Sequence, residues 1–365
     1  MNITIIAGAR PNFMKIAPII DAIIQKQNEG FNIHYRLVHT GQHYDKNLSG
    51  TFFEELQIPY PDINLETKSG TQAEQTAAIM IGFEKEINQN PCDLVMVVGD
   101  VTSTMACAIV AKKAEIKVAH VEAGIRSGDM RMPEEINRIV TDSLTDYYFT
   151  TSHHANENLL NLGVNNDHVF FVGNVMIDTL LKNMPRFKKP DIWNLLNLKK
   201  KHYLVMTLHR PSNVDEKKQL KSLITQIASL AESYPIVFPV HPRTKIVLEK
   251  LNLKFQNLHF VDPLGYLEFN FLVKNALAVI TDSGGITEEA TVMKVPCITL
   301  RENTERPETC EIGTNILVGS DNKKIENAFK TLLSNKWKQG QTPELWDGNS
   351  ANRIVNHLVE IYNLQ

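Results

Sequence analysis

Largely apolar runs of strand length alternate with segments whose apolar residues recur at helical spacing, and this rhythm constrains the fold more than any other feature. "NITIIAG" (2–8), "IHYRLVHT" (33–40), "DLVMVVGD" (93–100), "KVAHVEAG" (117–124), "DYYFTTS" (146–152) and "HVFFVGN" (168–174) read as strands. Between the first two, Ile16, Ile19, Ile20, Ile23 and Ile24 fall on one helical face. Strands with little polar alternation are buried on both faces, and intervening helices supply the cover, so the pattern predicts a parallel sheet. A stretch with seven basic residues and two prolines follows at 181–202 and reads as a solvated surface or linker. The alternation then restarts with "YLVMTLHR", "PIVFPVHPR", "LHFVDP", "ALAVITDS" and "VPCITLR". The predicted class is α/β, with two Rossmann-like domains, 1–172 and 173–349, facing across a cleft. Ligands of such sheets bind beyond the carboxyl ends of the strands, so the cleft is the expected site.

Chemistry-bearing residues collect at those strand ends. Gly8, Arg10 and Lys15 follow the first run, Gly99 and Asp100 the third, and Glu122 the fourth. In the second half, His209 and Arg210 follow one run, His241 and Arg243 the next, and Asp282, Ser283, Gly284 and Gly285 another. Loops are polar by default, but six such ends mixing cations, carboxylates and imidazoles suggest a site. Each residue also has a plainer reading. Asp100 can cap the following helix. Glu122 can be a buried partner of Arg126, and His209 a satisfied core histidine. Pro133 can open a helix in which Glu134 pairs with Arg138 at i,i+4. The glycines of "DSGGITEEA" (282–290) can make a tight turn, or let backbone amides at a helix N-terminus approach an anion, with Glu289 reaching a ribose hydroxyl. Arg10, Lys15 and Arg306 favour the anion, because cations from both halves would converge on one diphosphate.

Bulk properties exclude other partners. The 365-residue chain has 38 basic and 41 acidic residues and a net charge of −3, so neither nucleic acid nor an anionic membrane is an expected partner. The four cysteines have no CxxC spacing and read as reduced cytosolic thiols, with no zinc site or disulfide frame. "MNITIIAGARP" reads as a first strand and not as a signal peptide, and no apolar run approaches the length of a membrane span.

"GARPNFMK", "GQHYD", "VVGDVTSTMA", "HVEAGIRSGDMRMPEEINR", "VGNVMIDTL", "TLHRPSN", "DSGGITEEA" and "RENTERPE" occur in that order between residues 8 and 308. Together they resemble the non-hydrolysing UDP-N-acetylglucosamine 2-epimerases. The resemblance implies a GT-B arrangement, a C-terminal helix (350–365) crossing back to the first domain, a cytoplasmic homodimer, and neither redox cofactor nor metal. It assigns Asp100, Glu122 and Glu134 as catalytic acids and His209 as the active-site histidine. It places Arg10, Ser283, Gly284, Gly285, Glu289 and Arg306 on the UDP portion, Phe269 near the uracil, and Lys15 in the active site.

The implied reaction accounts for that inventory. The C2 hydrogen of an N-acetylglucosamine is barely acidic, and the chain shows no dinucleotide fingerprint for transient oxidation. Breaking the C1–O bond first is the remaining route. It requires diphosphate stabilisation and carboxylates on both faces of C2. Glu122 and Glu134 stand only twelve positions apart, and Asn12 replaces a glutamate common in the family. Both features resemble a branch acting on modified sugars such as UDP-2,3-diacetamido-2,3-dideoxyglucuronate. In some bacterial relatives a second UDP-GlcNAc binds beside the active site, and Gln42, Glu134, Arg210 and His241 match part of that second site. The clamping arginine has no counterpart in "ETKSGTQ" (66–72), where Lys68 is the nearby cation beside Ser69, and Asp45 adds a negative charge. A requirement for substrate as activator is therefore not expected.

Overall fold

In the computed structural model, which describes residues 1–41, 53–67, 70–240, 242–251 and 255–365, β1 (Asn2–Ala7) starts the first of two parallel sheets. Helix α1 (Arg10–Asn28) leads to β2 (His34–His39), followed by β3 (Ile63–Asn64), α2 (Gln72–Gln89), β4 (Leu94–Val98) and α3 (Thr102–Lys113). The series continues through β5 (Lys117–Val121), α4 (Pro133–Leu144), β6 (Tyr147–Thr150), α5 (His153–Asn161), β7 (Val169–Phe171) and α6 (Val175–Asn183). The sheet order is β3-β2-β1-β4-β5-β6-β7. Ile16, Ile19, Ile20 and Ile23 of α1 are fully buried, whereas Ile24, at the edge of the stripe, is 38% exposed. Pro18 lies inside α1 and has no N–H for the carbonyl of Met14. The hydroxyl of Thr179 in α6 donates to that carbonyl at 2.5 Å, so the missing helical bond is replaced from a second helix.

The second sheet joins β8 (Leu204–Thr207), β9 (Ile236–Pro239), β10 (Leu258–Val261), β11 (Ala278–Thr281), β12 (Cys297–Thr299) and β13 (Asn315–Leu317) in the order β10-β9-β8-β11-β12-β13. Its helices include α7 (Lys217–Leu230), α8 (Pro242–Leu251), α9 (Tyr266–Asn275), α10 (Gly284–Val292) and α11 (Asn322–Leu333). Met206, Phe238 and Ile280 face a core with Leu220, Ile224 and Ile227 of α7. Val205, Val237 and Val279 face the opposite core, with Leu272 and Val273 of α9. Both faces of the strands are therefore covered, as the unbroken apolar runs require. β3 and β13 were not expected from sequence, because two or three residues are too short to show a period.

The chain forms two α/β units, Met1–Lys182 with Glu344–Gln365, and Asn183–Pro343. These divisions fall later than 172/173 and earlier than 349/350, the boundaries expected from sequence. α6 stays with the first unit through Thr179 and through Asp178, whose carboxylate accepts the amides of Ser350 and Ala351 at the start of α12 (Ser350–Ile361). Trp346, 1% exposed, donates its indole N–H to the carbonyl of Thr151. The basic stretch 181–202 is not merely a linker: Trp193 packs edge-on against Tyr203 and Phe271, and Leu198 is buried in the second unit. All four cysteines are free thiols, and no helix among the described residues is long and apolar enough to cross a membrane.

Candidate active site

In each sheet the strand order reverses at one point, between β1 and β4 and between β8 and β11. Helices diverge to opposite faces there, leaving a crevice at the strand ends.

In the first unit, the loop after β1 is shaped by Asn12. Its Oδ1 accepts the amides of Gly8 and Ala9 at 3.1 and 2.9 Å, and its Nδ2 donates to the carbonyl of Val98 at the end of β4. One helical turn on, Lys15 Nζ lies 2.5 Å from Glu122 Oε2, and the Glu122 side chain is 2% exposed. Glu122 follows β5 with a φ of +71°. A non-glycine residue held there is costly, and such strain persists only where the surroundings enforce it. They do so on both sides. The amides of Glu122 and Ala123 donate to the carbonyl of Phe149, and the loop 120–126 is tied to Asp142 of α4. Asp142 takes Nδ1 of His120 at 2.7 Å, the amide of Gly124 at 3.1 Å and the guanidinium of Arg126 at 2.6 Å. Burial pushes Asp142 upward, but His120 and Arg126 outweigh it and hold the carboxyl below its ordinary range. Nε2 of His120 completes the chain on the carbonyl of Gly99.

Helix α4 is turned inside out. Glu135, Asn137, Arg138, Thr141 and Asp142 are buried, while Ile136 and Ile139 are 44% and 38% exposed. Arg138, 4% exposed at its side chain, holds Asp100 Oδ2 with Nε at 3.1 Å and Nη2 at 2.8 Å, and pairs with Glu135 through Nη1. Glu135 also accepts the amides of Ser127 and Gly128. Burial raises Glu135, yet those amides and Arg138 leave it below the usual carboxylate range. Glu134 is exposed in the first turn of α4. The plain alternatives thus resolve differently from expectation. Arg138 pairs with Glu135 and Asp100, Arg126 with Asp142, and the N-cap position of α3 is Val101.

In the second unit, β8 and β11 pair through Thr207 and Thr281, whose hydroxyls meet at 2.7 Å. Just beyond lie His209 and Asp282, with Nδ1 of His209 2.8 Å from Oδ1 of Asp282. His209 is half exposed and is not a core histidine. Arg210 donates through Nε to the carbonyl of Asp282 and lies 3.7 Å from Glu305. Ser283 caps α10 by position, and Gly284 and Gly285 open its first turn. A Cβ added to Gly284 would come no nearer than 3.8 Å to Arg301 and 4.0 Å to Glu305, so the glycine leaves room for an approaching group. Arg306 is 7% exposed and pairs with Glu288, the neighbour of Glu289 in α10. Glu289 accepts the hydroxyl of Tyr266 at 2.7 Å, and burial lifts its carboxyl to about 7. Phe269, on α9, is partly buried against the core beneath.

Gln42, Asp45, Lys68, Ser69 and His241 lie outside the described residues, as do the side chains of Arg10 and Arg243. Sequence reasoning gave no site role to Asp142, Arg138, Glu135 or Asp282, although it placed Asp282 at a strand end and Arg138 beside Glu134. The first three form a polar stripe at i, i+3 and i+7 on α4, a signal that an inward face is charged. Asp282 stands at the end of an apolar run, as His209 does.

The model of the UDP-N-acetylglucosamine 2-epimerase family matches residues 25–359. The UDP-N-acetylglucosamine 2-epimerase of Methanocaldococcus jannaschii is 43% identical over 98% of this chain and 99% of its own. The UDP-2,3-diacetamido-2,3-dideoxy-D-glucuronate 2-epimerase of Pseudomonas aeruginosa is 38% identical over 99% of this chain and 100% of its own. A crystal structure of the Methanocaldococcus jannaschii enzyme in complex with UDP-GlcNAc and UDP matches at a TM-score of 0.87, with 43% identity, covering 99% of this chain and 100% of that one. The chain belongs to the UDP-N-acetylglucosamine 2-epimerase family.

Proposed function

We propose that this enzyme inverts C2 of a UDP-N-acetylhexosamine, converting UDP-GlcNAc to UDP-ManNAc. The observation that carries this reading is the end-to-end identity of 43% to a UDP-GlcNAc 2-epimerase. The second unit binds the nucleotide: the amides of Ser283, Gly284 and Gly285 and the guanidinium of Arg306 hold the diphosphate. Glu289 serves the ribose and Phe269 the uracil. Each charge-assisted contact stabilises the leaving diphosphate more as negative charge develops on it.

Asp100, Glu122, Glu134 and His209 carry the chemistry. The C1–O bond breaks and its electron pair leaves with UDP. A carboxylate takes the C2 proton, and the C2–H electrons form the C1=C2 bond of a 2-acetamidoglucal. Re-addition reverses these steps. A proton returns to C2 on the other face, and a phosphate oxygen of UDP closes on C1, so atoms and charge balance with no external oxidant. Developing positive charge on the sugar is stabilised by carboxylates. The buried Lys15–Glu122 pair supports a proton-transfer role for Glu122, since the ammonium compensates the buried charge and fixes its direction.

Proton NMR of UDP-GlcNAc with the enzyme in deuterated water tests this. Deuterium enters C2 of both recovered epimers; protium retained at C2 in the product excludes the elimination. The full-length identity of 38% to the diacetamido-glucuronate 2-epimerase makes that sugar the second substrate to assay in the same tube. The enzyme works in the cytoplasm as a homodimer; the dimer is supported by the outward Ile136 and Ile139 of α4 and checked by sedimentation. Run from UDP-ManNAc alone, the reaction starts without a lag; strict dependence on added UDP-GlcNAc would show an activator requirement.

A further inference from the structure

The residue that holds His209 has no part in the reading above. Asp282 is fully buried at the end of β11, and its two carboxylate oxygens do different work. Oδ2 accepts the amide of Arg210 at 3.0 Å, Nδ2 of Asn213 at 3.0 Å and the amide of His209 at 3.1 Å. Oδ1 faces Nδ1 of His209 at 2.8 Å, with the His209 amide more distant at 3.2 Å. The loop after β8 is therefore tied down through Oδ2. Oδ1 is left to the imidazole.

A carboxylate only accepts, so neutral His209 keeps its proton on Nδ1 and carries a lone pair on Nε2. The ring is half exposed, and the buried carboxylate fixes its inner edge. We infer that Asp282 is a positioning residue for the epimerisation. It sets the tautomer and ring orientation of His209 so that Nε2 is offered to the substrate, and its charge compensates the imidazolium formed when Nε2 takes a proton. This rests on the role proposed for His209.

Asp282→Asn separates the tautomer from the fold. Three donors converge on the Oδ2 position, so the amide oxygen settles there and the NH2 takes the place of Oδ1. That NH2 donates to Nδ1, and neutral His209 must then carry its proton on Nε2. The loop ties survive while the exposed nitrogen changes from acceptor to donor. The expected result is a fall in kcat of about a hundredfold or more with KM for UDP-GlcNAc little changed. Nitrogen-15 NMR of histidine-labelled enzyme, with His209 assigned by its loss in His209→Gln, should show the Nδ1–H tautomer in the parent and the Nε2–H tautomer in Asp282→Asn. An Nε2–H tautomer in the parent enzyme overturns the inference and needs no variant to fold. So does an Asp282→Asn protein that switches tautomer and keeps its kcat within about threefold. Full activity in His209→Gln instead removes the role proposed for His209, whatever the spectra show.

Discussion

Lys15 Nζ stands 2.5 Å from Glu122 Oε2, and Gly99 packs against both: a Cβ there would lie 3.2 Å from Nζ and 3.7 Å from Oε2. The φ of +72° at Gly99 suits glycine, so the strand end opposite Glu122 is both bent and bare. The pair joins residues 107 positions apart, from the first turns of α1 and the end of β5.

Removing either partner should have unequal effects. Lys15→Met takes the ammonium away from a buried carboxylate and should cost about 3 kcal/mol of stability, while the double variant Lys15→Met with Glu122→Gln should recover most of it. Urea unfolding of the single and double variants checks this. A double-variant loss equal to the sum of the two single losses would mean the pair is not coupled.

Turnover and nucleotide affinity should separate between Glu122 and Arg306. Glu122→Gln should reduce kcat by roughly a hundredfold with UDP affinity nearly unchanged. Arg306→Ala should weaken UDP binding by about 1.5–3 kcal/mol, because it removes a charge-assisted donor. Calorimetry with UDP decides; comparable affinity losses in both variants would contradict the division of roles.

Asp142→Asn should reach Glu122 without touching it. The carboxylate holds His120, Gly124 and Arg126, which flank Glu122 on both sides. Its folded pKa is depressed, so its contribution is present above the unfolded carboxylate value and is lost as pH falls through the folded value. The stability difference between parent and variant should therefore be flat near neutrality, at about 3 kcal/mol, and shrink in strong acid. Unfolding curves across pH, with kcat followed in parallel, measure both effects.

Glu289 should act in the opposite sense. Its folded pKa is raised from 4.5 to about 7, chiefly by burial. Between those values the unfolded chain has lost the proton and the folded chain keeps it, so stability falls as pH rises. Glu289→Gln abolishes this titration. Relative to the parent, the variant should gain on the order of 3 kcal/mol between pH 4.5 and 7. A pH-independent difference would sink the assignment.

The C-terminal segment should be integral to the first unit. Trp346→Ala removes a side chain that is 1% exposed and its bond to Thr151, which should cost about 3–5 kcal/mol. Differential scanning calorimetry should show the loss.

Local pattern by itself determined the repeating architecture. Continuous apolar runs such as "DLVMVVG" can be satisfied only by burial on both faces, and Ile16, Ile19, Ile20 and Ile23 can lie together only on a helix. It also placed the candidate site residues at strand ends, because polar residues directly after a buried run must emerge where the sheet stops. Tertiary structure alone decided which carboxylate of the 134–135 pair is buried, that Arg138 reaches back to Asp100, and that Asp282 faces His209. It also decided that α6 and the C-terminal segment belong to the first unit. Glu134 and Glu135 have identical chemistry and adjacent places, and the 100° turn between neighbouring helical residues sends one outward and one inward. Which of the two points inward depends on where Arg138, Ser127 and Gly128 lie in space, and those positions are set by the packing of α4 on the sheet rather than by the spacing of letters along the chain.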